Sequence, residues 1–391
     1  MHAAAIAALS AGALLAACLD RGPGDLLGNS APDRSGRQPW TIILSDDAGR
    51  VLIAQTDSAL APGEDSAAVG RATLWRTLDG PAEPDSFALG VQAHGRRLEW
   101  SLRRAGQTVG SGSGALLAYP GDEGAPRYAG LAAITLAGVP PAMRFDAIGG
   151  LPMPADMPAP VAPLPIAARG VVSLRVDDCS AWDSTSLRLL ERHHLVASFA
   201  VPSRLVGRPG RCSRDLLERI AGAGNAIDAH SRYHDAAPAG FADFYIEAVG
   251  ASRDLRAMGF DAAVFVQPGS WTVGPALFDS PAKLATPYGA LIRRVYRALE
   301  AYQTDAASVP LPAAGRWPYA GEIRYFDRER LAAFVRDAAA RGEWVEFLWH
   351  SGDQPWDALD GRLAVIAAMR DSGYVANLTF RDALRAVPPA P

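Results

Sequence analysis

Six prolines at positions 152, 154, 158, 160, 163 and 165 most constrain what this chain can fold into. Each fixes φ near −65° and removes an amide donor, so residues 150–167 can form neither helix nor central strand and read as an extended linker. The linker splits the 391 residues into two pieces of different texture. From Trp40 to about Ile148 apolar residues recur with period two: Leu98, Trp100 and Leu102 alternate with Arg97, Glu99, Ser101 and Arg103. Phe87, Leu89 and Val91 do the same, and turn signals fall at Asp47-Ala48-Gly49, His94-Gly95 and Ala105-Gly106. That pattern predicts a small antiparallel β-sandwich over residues 39–149. Trp75, Trp100 and Tyr128 suggest a glycan-binding face there, although aromatics in a sandwich are more often core.

After Gly170 short apolar runs alternate with amphipathic ones. Strands are expected at Val171–Val176, Val196–Val201, Ala226–Ala229, Ala262–Val266, Trp344–Trp349 and Val375–Leu378. Helices are expected at Ser184–His193, Ser213–Ala223, Phe241–Met258, Arg328–Arg341, Trp356–Asp371 and from Arg381. This alternation predicts a parallel sheet, here a distorted (β/α) barrel over residues 168–388. Residues 270–326 fit it poorly and read as an elaboration with its own helix near Tyr288–Tyr302.

The formal charge of −4 and pI near 6.0 exclude a phosphate-binding surface on the scale nucleic acid needs. Residues 1–18 resemble a bacterial lipoprotein signal: Ala3 to Ala17 is small and apolar, and Leu15-Ala16-Ala17-Cys18 fits the box preceding a lipidated cysteine. The run is shorter than the ~20 residues a spanning helix takes. Its n-region, Met1-His2, carries no Lys or Arg, which leaves cleaved secretion and an ordinary alanine-rich helix as alternatives. Residues 19–38 read as a flexible tether. A lipidated Cys18 places the protein in the periplasm or at the cell surface, touching the membrane through that anchor only. Cys179 and Cys212 are left; they pair in an oxidising compartment and are buried thiols or ligands in a reducing one.

Catalytic groups of (β/α) barrels gather at the C-terminal ends of strands. Here Val171–Val176 runs into Asp177-Asp178, Ala226–Ala229 into His230-Ser231-Arg232-Tyr233-His234, and Trp344–Trp349 into His350. Histidines at i and i+4 can share one ion, and one carboxylate completes a His₂Asp set with an open position, the composition of catalytic zinc. Two adjacent carboxylates then divide the work, one binding the ion and the other taking the proton of a bound water. By contrast Asp46-Asp47 has no histidine pattern after it and reads as a solvated turn, and His193-His194, neighbours on a helix, point apart.

These residues resemble the NodB-homology polysaccharide deacetylases, distorted (β/α) barrels that remove acetyl groups from amino sugars. Val176-Asp177-Asp178-Cys179 is similar to that family's Phe-Asp-Asp-Gly motif, His230 to His234 to its His-Ser/Thr-x-x-His motif, and Leu348-Trp349-His350 to Leu-x-His. The resemblance covers about residues 168–388. It implies Asp177 as general base, a divalent metal (zinc first) on Asp178, His230 and His234, and His350 as general acid. It implies Leu348 lining an acetyl pocket, with Pro268 and Trp271 on the substrate side, Trp271 and Trp317 being alternatives for the family's fourth-motif tryptophan. The implied substrate is an N-acetylated cell-envelope or extracellular polysaccharide; alternatives are an O-acetyl esterase and a catalytically silent glycan-binding protein. Two departures stand out. Val266-Gln267-Pro268 replaces Arg-x-Pro, removing the arginine that contacts the base, and Cys179 replaces a glycine. Arg175, two residues before Asp177 on one strand, shares its face and is expected to supply the missing guanidinium, Glu346 being the alternative partner. The loops carrying Cys179 and Cys212 open on one face of the expected barrel, which predicts a disulfide between them.

Overall fold

The computed structural model describes the strands of residues 38–149 with Gly106, residue 158, and residues 162–387 except 235–236, 239, 272–275, 280, 302–306 and 312–319. The signal 1–18 with Cys18, nearly all of the tether, most of the linker and Trp317 lie outside the described residues. The chain divides into two compact units, with the main division between Pro152 and Met153. Among the described residues no helix is long and apolar enough to cross a membrane.

In place of a sandwich, the first unit is a closed barrel of eight strands. The strands are Gln38–Ser45, Val51–Leu60, Ser66–Trp75, Pro84–His94, Arg97–Arg104, Gln107–Leu117, Arg127–Ile134 and Ala142–Gly149, each bonded to the next. The first closes antiparallel on the last, from Trp40 opposite Gly149 to Ser45 opposite Arg144. Alternation reads the same in either architecture, because both have one face of each strand turned inward; closure depends on a pairing of first with last strand that no local pattern marks. Leu89, Val91, Trp100 and Leu102 are buried while Ala88, Gln92 and Arg103 are exposed. Trp100 is therefore core, not a glycan-binding surface. Its ring lies over Gly112 on the paired strand, where a Cβ would stand 2.8 Å from the indole nitrogen.

The second unit is a parallel half-barrel sheet. Its order runs Ala298–Glu300, Val264–Val266, Ala226–Ala229, Ser198–Val201, Gly170–Asp177, Glu343–His350, with Val309–Pro310 antiparallel at the far edge. All eight residues of Gly170–Asp177 are buried, as expected of a parallel strand covered on both faces. One side of this strand forks: Val375–Asn377 pairs with residues 170–172, and Ser198–Val201 with residues 175–177. Asn377 bridges the fork, its amide oxygen accepting from Val196 N (2.6 Å) and its nitrogen donating to Val172 O (3.3 Å). Helices begin where the chain offers a cap: the Ser213 hydroxyl accepts from Leu216 N (3.1 Å), and the Asp327 carboxylate from Arg330 N (2.7 Å).

Two details differ from the sequence reading. The helix expected near Tyr288–Tyr302 is Pro287–Val295, capped by Thr286, and the chain then returns to the sheet as Ala298–Glu300. Residues 270–326 thus contain part of the sheet, in strands of two or three residues too short to show a period. At the end of the linker Leu164–Pro165 forms a two-residue strand beside Ala386–Val387, an edge position that proline tolerates.

Candidate functional site

Parallel register brings the reactive residues together. Asp177 lies opposite His350 on one neighbour and Ala200 on the other, and Ala226–Ala229 ends at His230. Asp178, His230 and His234 present ligand atoms all within 4.8 Å of one another. Asp178 Oδ1 is 3.1 Å from His234 Nε2 and 3.5 Å from His230 Nε2, yet it is buried with no hydrogen-bond partner. Two imidazole nitrogens and one carboxylate oxygen therefore converge on one point. His230 Nδ1 donates to the Val266 carbonyl (3.0 Å), which leaves Nε2 as the lone-pair nitrogen facing the cluster. Burial raises the Asp178 carboxyl, but the two imidazoles beside it bring it far below the usual range. His234 is pushed down by burial and raised on balance by Asp178.

The backbone here is strained. Asp178 (φ 80), Cys179 (φ 53), Ser231 (φ 61) and His234 (φ 60) all occupy the left-handed region that side chains disfavour. Two devices hold these loops. Cys179 and Cys212 form a disulfide with a Cα separation of 5.0 Å, next to a backbone bond from Cys212 N to Cys179 O (2.8 Å). One face of the helix Phe241–Ala257 grips the histidine loop: Glu247 accepts from the backbone amides of Arg232 (2.8 Å) and Tyr233 (3.0 Å), and Asp254 accepts from Arg232 Nε (2.9 Å). Between them Gly250 makes room, since a Cβ there would stand 2.7 Å from Arg232 Cδ.

Behind the cluster Arg175, fully buried, clasps Asp177 side-on: Nε donates to Oδ1 (2.8 Å) and Nη2 to Oδ2 (3.0 Å). Its remaining nitrogen, Nη1, pairs with Glu300. Glu346, the alternative partner, lies beside Glu300, its oxygens buried with no hydrogen-bond partner beyond that carboxyl. Burial raises Glu346 well above the ordinary carboxylate range, and the neighbouring Glu300 adds to the rise.

His350 is 35% exposed, with Nε2 3.8 Å from Asp178 Oδ2 and Nδ1 3.7 Å from Asp353 Oδ2. Asp353 raises its pKa to about 9 against the effect of burial, with Asp177 and Asp178 adding to the rise. Asp353, Glu322 and His350 form a second group of metal-ligand type, but Arg324 already lies between its carboxylates, 2.8 Å from Glu322 and 3.2 Å from Asp353. Trp182, 60% exposed, stands over Gly352 in the same loop.

The substrate-side expectations fare differently. Trp271 is 1% exposed and packs edge-on against Phe244, so it is a core residue and not a wall of the site. Pro268 and Leu348 are likewise buried. Sequence reasoning missed Glu247, Asp254, Glu300 and Asp353. None sits in a motif; Asp353 alone left a signal, its i+3 spacing from His350.

No protein-family model and no curated protein matches the chain. Solved structures are similar at low identity. The Xyl-CE4 domain of a multidomain xylanase from the hindgut metagenome of Trinervitermes trinervoides is 17% identical, with a TM-score of 0.36 over 55% of this chain and 88% of that one. A family 4 carbohydrate esterase from Streptomyces lividans in complex with acetate is 17% identical, with a TM-score of 0.34 over 54% of this chain and 93% of that one. A CE4-family pseudoenzyme from Bacillus anthracis is 14% identical, with a TM-score of 0.37 over 59% and 74%. At that likeness neither activity nor substrate transfers to this chain.

Proposed function

We propose that the chain is a metal-dependent hydrolase that removes acetyl groups from an N-acetylated cell-envelope or extracellular polysaccharide. The observation that carries this reading is the convergence of Asp178, His230 and His234 beside Asp177 and His350 at three strand ends of one sheet. The donor set suits a divalent ion, zinc first: two imidazole nitrogens and one carboxylate oxygen, the last buried without a hydrogen bond. Such an ion, when bound, polarises an acyl carbonyl and acidifies water.

The chain's own residues supply the proton chemistry. Asp177, fixed by Arg175, takes the proton of the attacking water; His350, with its pKa raised to about 9, holds a proton at neutral pH for the leaving amine nitrogen. The catalytically silent alternative drew on the missing arginine at Val266, and the Arg175 clasp on Asp177 removes that support. Purified protein loaded with zinc should release acetate from at least one of chitin oligomers, peptidoglycan and O-acetylated polymers, and Asp177→Asn should stop release while keeping the metal. Release from O-acetylated polymers alone would establish the esterase; no release from any would establish the silent binder. The proposal extends to export and an anchor at Cys18, tested by palmitate labelling that Cys18→Ala abolishes.

A further inference from the structure

Three buried carboxyls surround one buried guanidinium: Asp177 (2% exposed), Glu300 and Glu346 (each 0%) around Arg175 (0%). Arg175 and Glu300 belong to strands four places apart in the sheet order, so their ion pair spans the concave interior of the half-barrel rather than joining neighbours. Glu300 closes its strand opposite Val266, whose carbonyl accepts from His230. It therefore stands where the histidine strand and the Asp177 strand can both be sensed through single contacts.

We infer that Glu300 is a positioning residue for the reaction, holding the Arg175 guanidinium in the plane from which it aims the Asp177 carboxylate. A side-on clasp through Nε and Nη2 leaves the guanidinium hinged about its own stem, and only a contact at Nη1 fixes the third corner. Without Glu300, Nη1 would be a buried charged donor with no acceptor, and the fork would turn toward Glu346, away from Asp177. Two glutamates and an aspartate share this one arginine, and burial together with the neighbouring Glu300 raises the Glu346 carboxyl well above the ordinary carboxylate range.

The inference rests on the hydrolase reading, and its test separates the two. Glu300→Gln keeps an acceptor of the same shape; Glu300→Leu removes it. With an acetylated oligosaccharide, kcat should fall about threefold in Glu300→Gln and at least about tenfold in Glu300→Leu, with KM and metal content unchanged. The Arg175 Nε–H resonance, assigned by its loss in Arg175→Lys, should exchange with water at least about tenfold faster in Glu300→Leu than in the parent protein. A kcat within twofold of the parent in both variants, with that resonance unmoved, overturns the inference. If Glu300→Leu does not fold, Glu300→Gln decides alone: an unchanged kcat and an unchanged resonance overturn it. If the parent releases no acetate, the hydrolase reading fails, while the resonance still decides whether Glu300 fixes Arg175.

Discussion

In the N-terminal barrel each strand sorts its side chains, with Leu89, Val91, Trp100 and Leu102 inside and Gln92 and Arg103 outside. In the half-barrel sheet the strand Gly170–Asp177 is buried along its whole length and still carries Arg175 and Asp177. The first arrangement leaves no charge to neutralise among its described core residues and needs only apolar packing. The second covers both faces of the strand, so every charge it carries must find a partner inside, and the surplus at Glu346 shows how nearly that supply is exhausted. Buried charge thus distinguishes the second unit from the described core of the first.

Substitutions can break that division. The largest effect is expected at the ion ligands: Asp178→Ala or His230→Ala should abolish metal binding and lower acetate release by on the order of 10³-fold or more. Full metal content in both variants, measured by elemental analysis, would undo the ligand assignment. Arg175→Met should come next, with activity down about 10²-fold and stability down by roughly 3–5 kcal/mol, since it strands buried carboxylates. Retention of full activity would mean that Asp177 needs no guanidinium. In the barrel, Leu102→Ala should cost about 2–4 kcal/mol in denaturant unfolding and leave metal content and kcat untouched. A loss of metal there would show that the two units do not divide their tasks.

The smallest effect is one of pH. His350 is raised to about 9 chiefly by Asp353, so the basic limb of activity should lie near pH 9. Asp353→Asn should move that limb down, toward the ordinary histidine value of about 6.5. The sign for stability follows from the same shift: a pKa raised by folding adds stability below about 6.5, which is lost as pH climbs through about 9. In Asp353→Asn that decline should flatten. An unmoved basic limb would remove His350 as the acid.

The clustering of side chains was more legible in the sequence than the architecture. Asp177-Asp178, His230 to His234 and His350 were legible because each follows an apolar run and so must lie at a strand end. Arg175 was legible from strand periodicity alone, two residues before Asp177. Glu300 was not, because Ala298–Glu300 is three residues long and contains no β-branched side chain, so it announces no strand. Barrel closure was hidden for a different reason: it pairs Gln38–Ser45 with Ala142–Gly149, and nothing local records a partner a hundred residues away. Trp271 misled because a tryptophan after a strand suits a sugar platform and an aromatic core equally well, and here its ring neighbours Phe244 and Phe265 place it in the core.

The fork in the Gly170–Asp177 strand also sets a timetable. Val172 waits for Asn377, 205 residues later, before its side of the sheet is complete. At the ribosome's ~5–20 residues per second, that is an interval of tens of seconds in which the strand leading to Asp177 and Asp178 has one unfinished flank. The start of that strand is thus among the first parts of its unit to be made and among the last to be locked in place: a nascent chain stalled before residue 375 would leave residues 170–172 on an open edge, while Asp177 at the other end is already flanked by Ala200 and His350.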